Sequence, residues 1–110
     1  MGQNGERIAA MFLVKQGFSI LERNVGNKFG EIDIVAKKKG KYYFIEVKTD
    51  RGGSIRAVEN LHSSKLAKFY KSVDYYCLTH KHVGEDHRVS AILVSLKEGS
   101  EPKIEFLEYL

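Results

Sequence analysis

The chain has 110 residues, 43% hydrophobic and 29% charged, with ten glycines against one proline, which describes one folded domain and excludes a multidomain machine or a disordered tail. Eighteen lysines and arginines against 14 acidic residues give a net charge of +4, a surplus that suits a polyanion such as nucleic acid. The longest apolar run, Ile8 to Val14, is far below the roughly twenty residues of a membrane span; with no secretory signal pattern and a lone Cys77, the expected setting is a reducing cytoplasm, off the membrane.

Asn4 is placed to cap a first helix that runs to about Gln16, with Ile8, Met11, Phe12 and Lys15 at helical spacing and Gly17 positioned to end it. The period then changes. Phe18 to Val25, Glu31 to Lys37 and Lys41 to Thr49 read as three strands separated by hairpin-length connections, and so as an antiparallel meander. Asp50 to Ser64, with Gly52-Gly53 and two arginines, reads as a long loop. A second helix starts at Lys65, its apolar stripe formed by Leu66, Phe69, Tyr70, Val73, Tyr76 and Cys77, with Lys65, Lys68 and Lys71 off that stripe. Arg88 to Leu96 reads as a strand covered on both faces, and Lys103 to Leu107 as a final edge strand. The expected fold is a single α/β domain over residues 1–110 with a mixed sheet, in the order helix-strand-strand-strand-helix-strand-strand.

The anomaly is polar. Acidic side chains are depleted in strands, yet Asp33 interrupts Gly30-Glu31-Ile32-Asp33-Ile34-Val35-Ala36, and Glu46 and Lys48 interrupt Phe44-Ile45-Glu46-Val47-Lys48-Thr49. Alternation sets Ile32 and Ile34 on one face and Asp33 on the other, and separates Ile45 and Val47 from Glu46 and Lys48. Two carboxylates meeting in a confined site repel, and a divalent cation removes that cost. A lysine two residues along the same face can hold a water or offset negative charge. The plainer alternative is an ion-paired, solvent-facing sheet surface in which Glu46 and Lys48 simply pair. An Asp followed after twelve residues by Glu-x-Lys is also the PD-(D/E)xK nuclease signature, with Ile32 in place of its proline.

Gly5-Glu6-Arg7-Ile8-Ala9, Gly17 to Asn24, Gly30-Glu31-Ile32-Asp33, Phe44 to Thr49 and Ser64-Lys65-Leu66, in that order along nearly the whole chain, resemble the YraN family of predicted endonucleases, related in turn to archaeal Holliday-junction resolvases. The resemblance implies a restriction-endonuclease-like fold and a site at Glu6, Asp33, Glu46 and Lys48. It implies Mg²⁺, or Mn²⁺ in its place, held by Asp33, Glu46 and the Val47 carbonyl, and hydrolysis of DNA phosphodiesters at branched or junction DNA. Symmetric cutting of a junction needs two sites, hence a homodimer. Three departures from the family pattern stand out: Asp50 intervenes before Arg51, Ser90 replaces a carboxylate in the fourth strand, and the loop lacks a Gly-x-Pro.

Beside this, Glu6 also has a purely local explanation, because the helix dipole favours a carboxylate near a helix start. Glu31 shares a face with Asp33 and is expected behind the metal ligands, or holding an arginine. Arg7, Arg23, Lys28, Arg51, Arg56, Lys65 and Lys68 are the candidates for phosphate contacts, whereas Lys37-Lys38-Lys39 with Lys41 marks a hairpin tip that charge keeps soluble. Cys77, His80, His82 and His87 have zinc-ligand chemistry without zinc-ligand spacing, and Cys77 is better read as core. The competing functions are a non-catalytic nucleic-acid-binding module of the same fold and an interaction protein with an ion-paired sheet. The triple of Asp33, Glu46 and Lys48 separates the first reading from these two.

Overall fold

The computed structural model describes residues 2–51, 64–84 and 86–108. Helix α1 (Gly2–Lys15) is followed by β1 (Ser19–Asn27), β2 (Gly30–Lys38) and β3 (Lys41–Asp50), then α2 (Ser64–Thr79), β4 (His87–Ser95) and β5 (Lys103–Glu108). The five strands form one sheet in the order β1-β2-β3-β4-β5. All neighbours are antiparallel except β3 and β4, which run parallel, so the expected mixed α/β sheet is met. One element is added to the expected order, a single 3-10 turn at Lys81–Val83, closed by the Val83 amide donating to the His80 carbonyl at 3.0 Å and anchored by buried Val83.

The first helix begins at Gly2, so Asn4 sits exposed inside its first turn instead of capping it. Its end is as the sequence indicates. Gly17 takes φ +94°; its amide donates to the Val14 carbonyl at 3.0 Å and the Phe18 amide to the Leu13 carbonyl at 2.9 Å. That pair of bonds is a Schellman closure, which needs a left-handed residue where glycine costs least. Phe18 and Leu13 then share a buried cluster.

Neighbouring residues along the central strands bury opposite faces. Ala36 and Ile45 join Ala9, Leu13, Ile92 and Val94 under α1, while Val35 and Phe44 join Phe69, Val73 and Tyr76 under α2. The helices thus cover opposite faces of the sheet, and Cys77 packs at the edge of the second cluster as a small apolar residue. Two tight hairpins fix the meander. Lys39 and Gly40 have φ +50° and +81° between the paired Lys38 and Lys41, the two positive values that a type I′ turn requires. The other loop, Lys28-Phe29, lies between the paired Asn27 and Gly30. The expected loop between β3 and α2, with Arg56, lies outside the described residues.

One expectation of alternation fails. Ile34 packs under α1, but Ile32 packs under α2 with Val35, so the two isoleucines do not share a face. The break falls at Asp33, just past the end of the β2–β3 ladder at Ile34↔Ile45; in β1, Asn24, between the partners of Ile34 and Ile32, has φ +55°.

Candidate active site

The pairing of β2 with β3 runs from Lys38↔Lys41 to Ile34↔Ile45 and ends there. Beyond that point β2 stays with β1 as far as Asn27↔Gly30, and β3 stays with β4 as far as Asp50↔Ser95. The sheet therefore opens in a wedge, with Gly30 to Asp33 on one side and Glu46 to Asp50 on the other. A splayed strand leaves amides that the ladder no longer satisfies. Asp33 answers one of them: the Val47 amide donates to Asp33 Oδ2 at 2.7 Å.

Helix α1 closes over this wedge. Gly5 lies so near β3 that a Cβ there would overlap Thr49 Oγ1, and this contact carries Glu6 to the opening. Carboxylate oxygens of Glu6, Glu31 and Asp33 lie within 4.8 Å of one another. The Asp33 carboxyl is pushed up to about 7, first by burial and then by the neighbouring charges of Glu6, Glu46 and Glu31, against the lowering effect of the Val47 amide. Glu6 and Asp33 are half-buried and Glu31 is exposed, and carboxylates converging where two are partly desolvated carry a cost that a hard cation relieves. Mg²⁺ takes oxygen ligands at about 2.0–2.1 Å, which puts opposite ligand atoms about 4 Å apart; the observed spread needs only a small inward movement, so the donor set fits.

Lys48 Nζ lies 3.1 Å from Glu46 Oε1, on the adjoining stretch of β3. Both side chains are largely buried, at 23% and 14% exposure, and Glu46 is close enough to Asp33 to raise its proton affinity. Of the four positions read from the sequence, the structure thus gathers Glu6 and Asp33 in one carboxylate cluster and sets Glu46 with Lys48 beside it. Glu31, expected behind the ligands, stands in the cluster itself. Its part was hidden because one face of an ideal strand says nothing about where the ladder ends. Val47 contributes its amide to Asp33.

The basic candidates are distributed around the same end. Arg23 Nη2 is 3.9 Å from Glu6 Oε1. Lys28 tips the β1–β2 hairpin, Arg7 and Lys68 are exposed on their helices, and exposed Arg51 directly follows β3. Lys65 lies in the first turn of α2. Among the described residues Cys77 and His87 approach each other at 3.9 Å between Sγ and Nδ1, a pair rather than a metal set. Ser90 in β4 is buried, and its Oγ has no hydrogen-bond partner.

A sheet opened between β2 and β3 thus gathers carboxylates from α1 and β2 beside an acid-lysine pair on β3 in an α/β domain, oxygen donors of the type a hard cation takes. Residues 5–94 match the model of the uncharacterised protein family UPF0102, which is the YraN family, and the chain belongs to it. Relatives include UPF0102 proteins of Campylobacter lari, 45% identical over 80 residues (73% of this chain and 70% of the relative), and of Helicobacter hepaticus, 44% identical over 80 residues (73% and 71%). That of Campylobacter jejuni strain 81-176 is 42% identical over 90 residues (82% and 79%). Among solved structures, the Holliday junction resolvase Hjc of Archaeoglobus fulgidus is similar at a TM-score of 0.43 and 18% identity, over 97% of this chain and 86% of that one. No helix among the described residues is long and apolar enough to cross a membrane.

Proposed function

We propose that this domain is a divalent-metal-dependent endonuclease of the restriction-endonuclease-like class, hydrolysing DNA phosphodiesters at branched or junction DNA as a homodimer. The observation that carries the reading is the convergence of Glu6, Glu31 and Asp33 within 4.8 Å next to the buried pair of Glu46 and Lys48. An ordinary binding surface has no use for an aspartate that must be forced to ionise near neutrality.

In this reading Asp33, Glu6 and Glu31 would hold the cation, with Glu46 and the Val47 carbonyl as further oxygen donors. The ion would supply charge neutralisation at the scissile phosphate and a more acidic water. Lys48 orients that water and offsets the negative charge that grows on the phosphoryl oxygens. The Val47 amide keeps the Asp33 carboxylate aimed across the wedge. Arg23, now on Glu6, is placed to shift to a phosphate once Glu6 is engaged, and Arg7, Lys28, Arg51, Arg56, Lys65 and Lys68 position the DNA backbone. Mn²⁺ substitutes for Mg²⁺ because both accept the same oxygen donors.

The test is cleavage of four-way-junction, flapped and blunt duplex DNA across a Mg²⁺ and Mn²⁺ titration. Asp33→Asn, Glu46→Gln and Lys48→Met should each lower cleavage by at least about a hundredfold, the scale of losing one charged transition-state contact. Metal-free DNA binding should survive in all three. An unmutated protein that binds these DNAs and cuts none of them would instead establish the non-catalytic binding module.

A further inference from the structure

On the α2 side of the β1–β2 hairpin the structure holds a groove of about 470 Å³ lined by Lys28, Phe29, Lys71, Asp74, Tyr75 and Leu78. We propose that this groove, at the same end of the sheet as the carboxylate cluster but on the face covered by α2, is a stacking subsite for an unpaired nucleobase of the DNA substrate.

The groove is preformed. The Asn27 Nδ2 donates to the Ser72 carbonyl at 3.1 Å and the Phe29 amide to Asn27 Oδ1 at 2.9 Å, which clips the hairpin tip to α2. Gly30, at φ +148°, lies so close that a Cβ would come within 3.0 Å of Ser72 Oγ. Held this way, Phe29 and Tyr75 stand with ring centroids 5.8 Å apart at 63°. The Lys28 amine lies 5.3 Å from one ring and 5.5 Å from the other. Phe29 is 37% and Leu78 71% exposed, two of the large apolar side chains that the described residues leave in water, with Met11, Val14 and Leu21 elsewhere.

The chemistry of the wall selects the occupant. Aromatic faces accept any base by stacking, and a cation at the rim pairs with the flanking phosphates. Lys71 supplies that cation, joined by Lys28 when a base displaces its amine from over the two rings, and the Asp74 carboxylate gives the rim one acceptor suited to an exocyclic amine. A stacked duplex offers no free base face, so the ligand is a single-stranded segment. Its placement follows from the chain itself: β2 leaves the hairpin tip and delivers Glu31 two residues and Asp33 four residues after Phe29. At about 3.3 Å per residue this is about 13 Å along the strand, and because Glu6 approaches from the α1 face while the groove lies on the α2 face, a strand that reaches both passes round the hairpin end of the sheet. The subsite therefore gives a branched substrate, whose unpaired bases can enter it, an advantage over plain duplex.

This inference rests on the nuclease reading, and its test separates the two. Metal-free binding is measured by fluorescence anisotropy at fixed salt for duplex with a single-stranded arm, the same DNA with abasic positions through the arm, and blunt duplex. Phe29→Leu and Tyr75→Leu should each bind the armed DNA about tenfold more weakly, with blunt-duplex affinity unchanged. Phe29→Trp should bind as the unmutated protein does. The abasic arm should remove the difference between Phe29→Leu and the unmutated protein. Thermal unfolding confirms that each variant is folded. If the unmutated protein binds and cuts armed DNA while both leucine variants match it, or lose as much on blunt duplex, the subsite is wrong and the nuclease reading stands; if it binds none of these DNAs, both fail.

Discussion

Asp33 carries the electrostatic tension of the molecule in a single side chain. Its carboxyl, ordinarily at 3.8, is raised to about 7 by burial and by three neighbouring acids, so the folded chain holds a proton there that the unfolded chain has already released. Stability from this group is fully present below about 4 and is lost as pH rises through about 7. Thermal unfolding of the metal-free protein should accordingly show a decline over that window which is absent in Asp33→Asn, and added Mg²⁺ should offset the decline above pH 7. Parallel pH profiles for the two proteins would refute the assignment. Metal binding should likewise weaken below pH 7, because the ligand must first lose its proton. Asp33, Glu46 and Lys48 were legible in the sequence because polar residues inside apolar strands are costly without a task. Glu31 was legible as a neighbour on the face of Asp33 but not as a member of the cluster, and the side taken by Ile32 was not legible, because both depend on where the β2–β3 ladder stops.

At the scale of elements, the seating of α1 on β3 decides whether Glu6 reaches the cluster. Glycine inside a helix ordinarily costs about 1 kcal/mol relative to alanine, so Gly5→Ala considered locally should stabilise. Here the added Cβ would overlap Thr49 Oγ1 and crowd Thr49 Cβ and Cγ2 at 3.1 and 3.3 Å, and a β-branched side chain has little room to turn away. The expected result is a net destabilisation of about 1–3 kcal/mol. Thr49→Ala should recover most of it in the double variant, as a thermodynamic cycle by chemical denaturation would show. If Gly5→Ala is as stable as the unmutated protein, the close approach is not a constraint. The helix ends tell the same story of what local sequence can say: Gly17 announced the closure of α1, since the left-handed residue is a local demand. The start at Gly2 was misjudged, because Asn4 had cap chemistry but not the cap position.

Across the whole molecule the positive charge is partitioned. Residues 1–50 hold nine basic against six acidic residues and residues 51–82 six against two, whereas residues 83–110 hold three against six. In space, β4 and β5 are themselves balanced, Arg88 and Lys103 against Glu105 and Glu108, with further acids (Asp86, Glu98 and Glu101) in the connections beside them, while the basic surplus lies in the elements before β4, on the flank of the wedge and its hairpin. A protein that reads phosphates through this flank should lose DNA affinity steeply with salt and discriminate little between base sequences. Lys68→Ala, at an exposed position on α2, should flatten the slope of log affinity against log salt by about one. Affinity indifferent to salt would show that the basic flank is only a solvated surface. The mixed sheet could be read from period changes and connection lengths, but the added 3-10 turn and the wedge could not, the wedge because it arises from two ladders parting company.

That parting leaves the Val47 amide hydrogen-bonded to an ionisable side chain rather than to a backbone carbonyl. A carboxylate accepts this bond far more strongly than a carboxylic acid does, so this one backbone proton registers the charge state of the site. Its nuclear magnetic resonance shift should move downfield with an apparent midpoint near pH 7 and jump again as Mg²⁺ is titrated, while the ladder amides of Val35 and Phe44 stay put. The protein thus carries its own indicator, readable without substrate, without a fluorophore and without any change of residue.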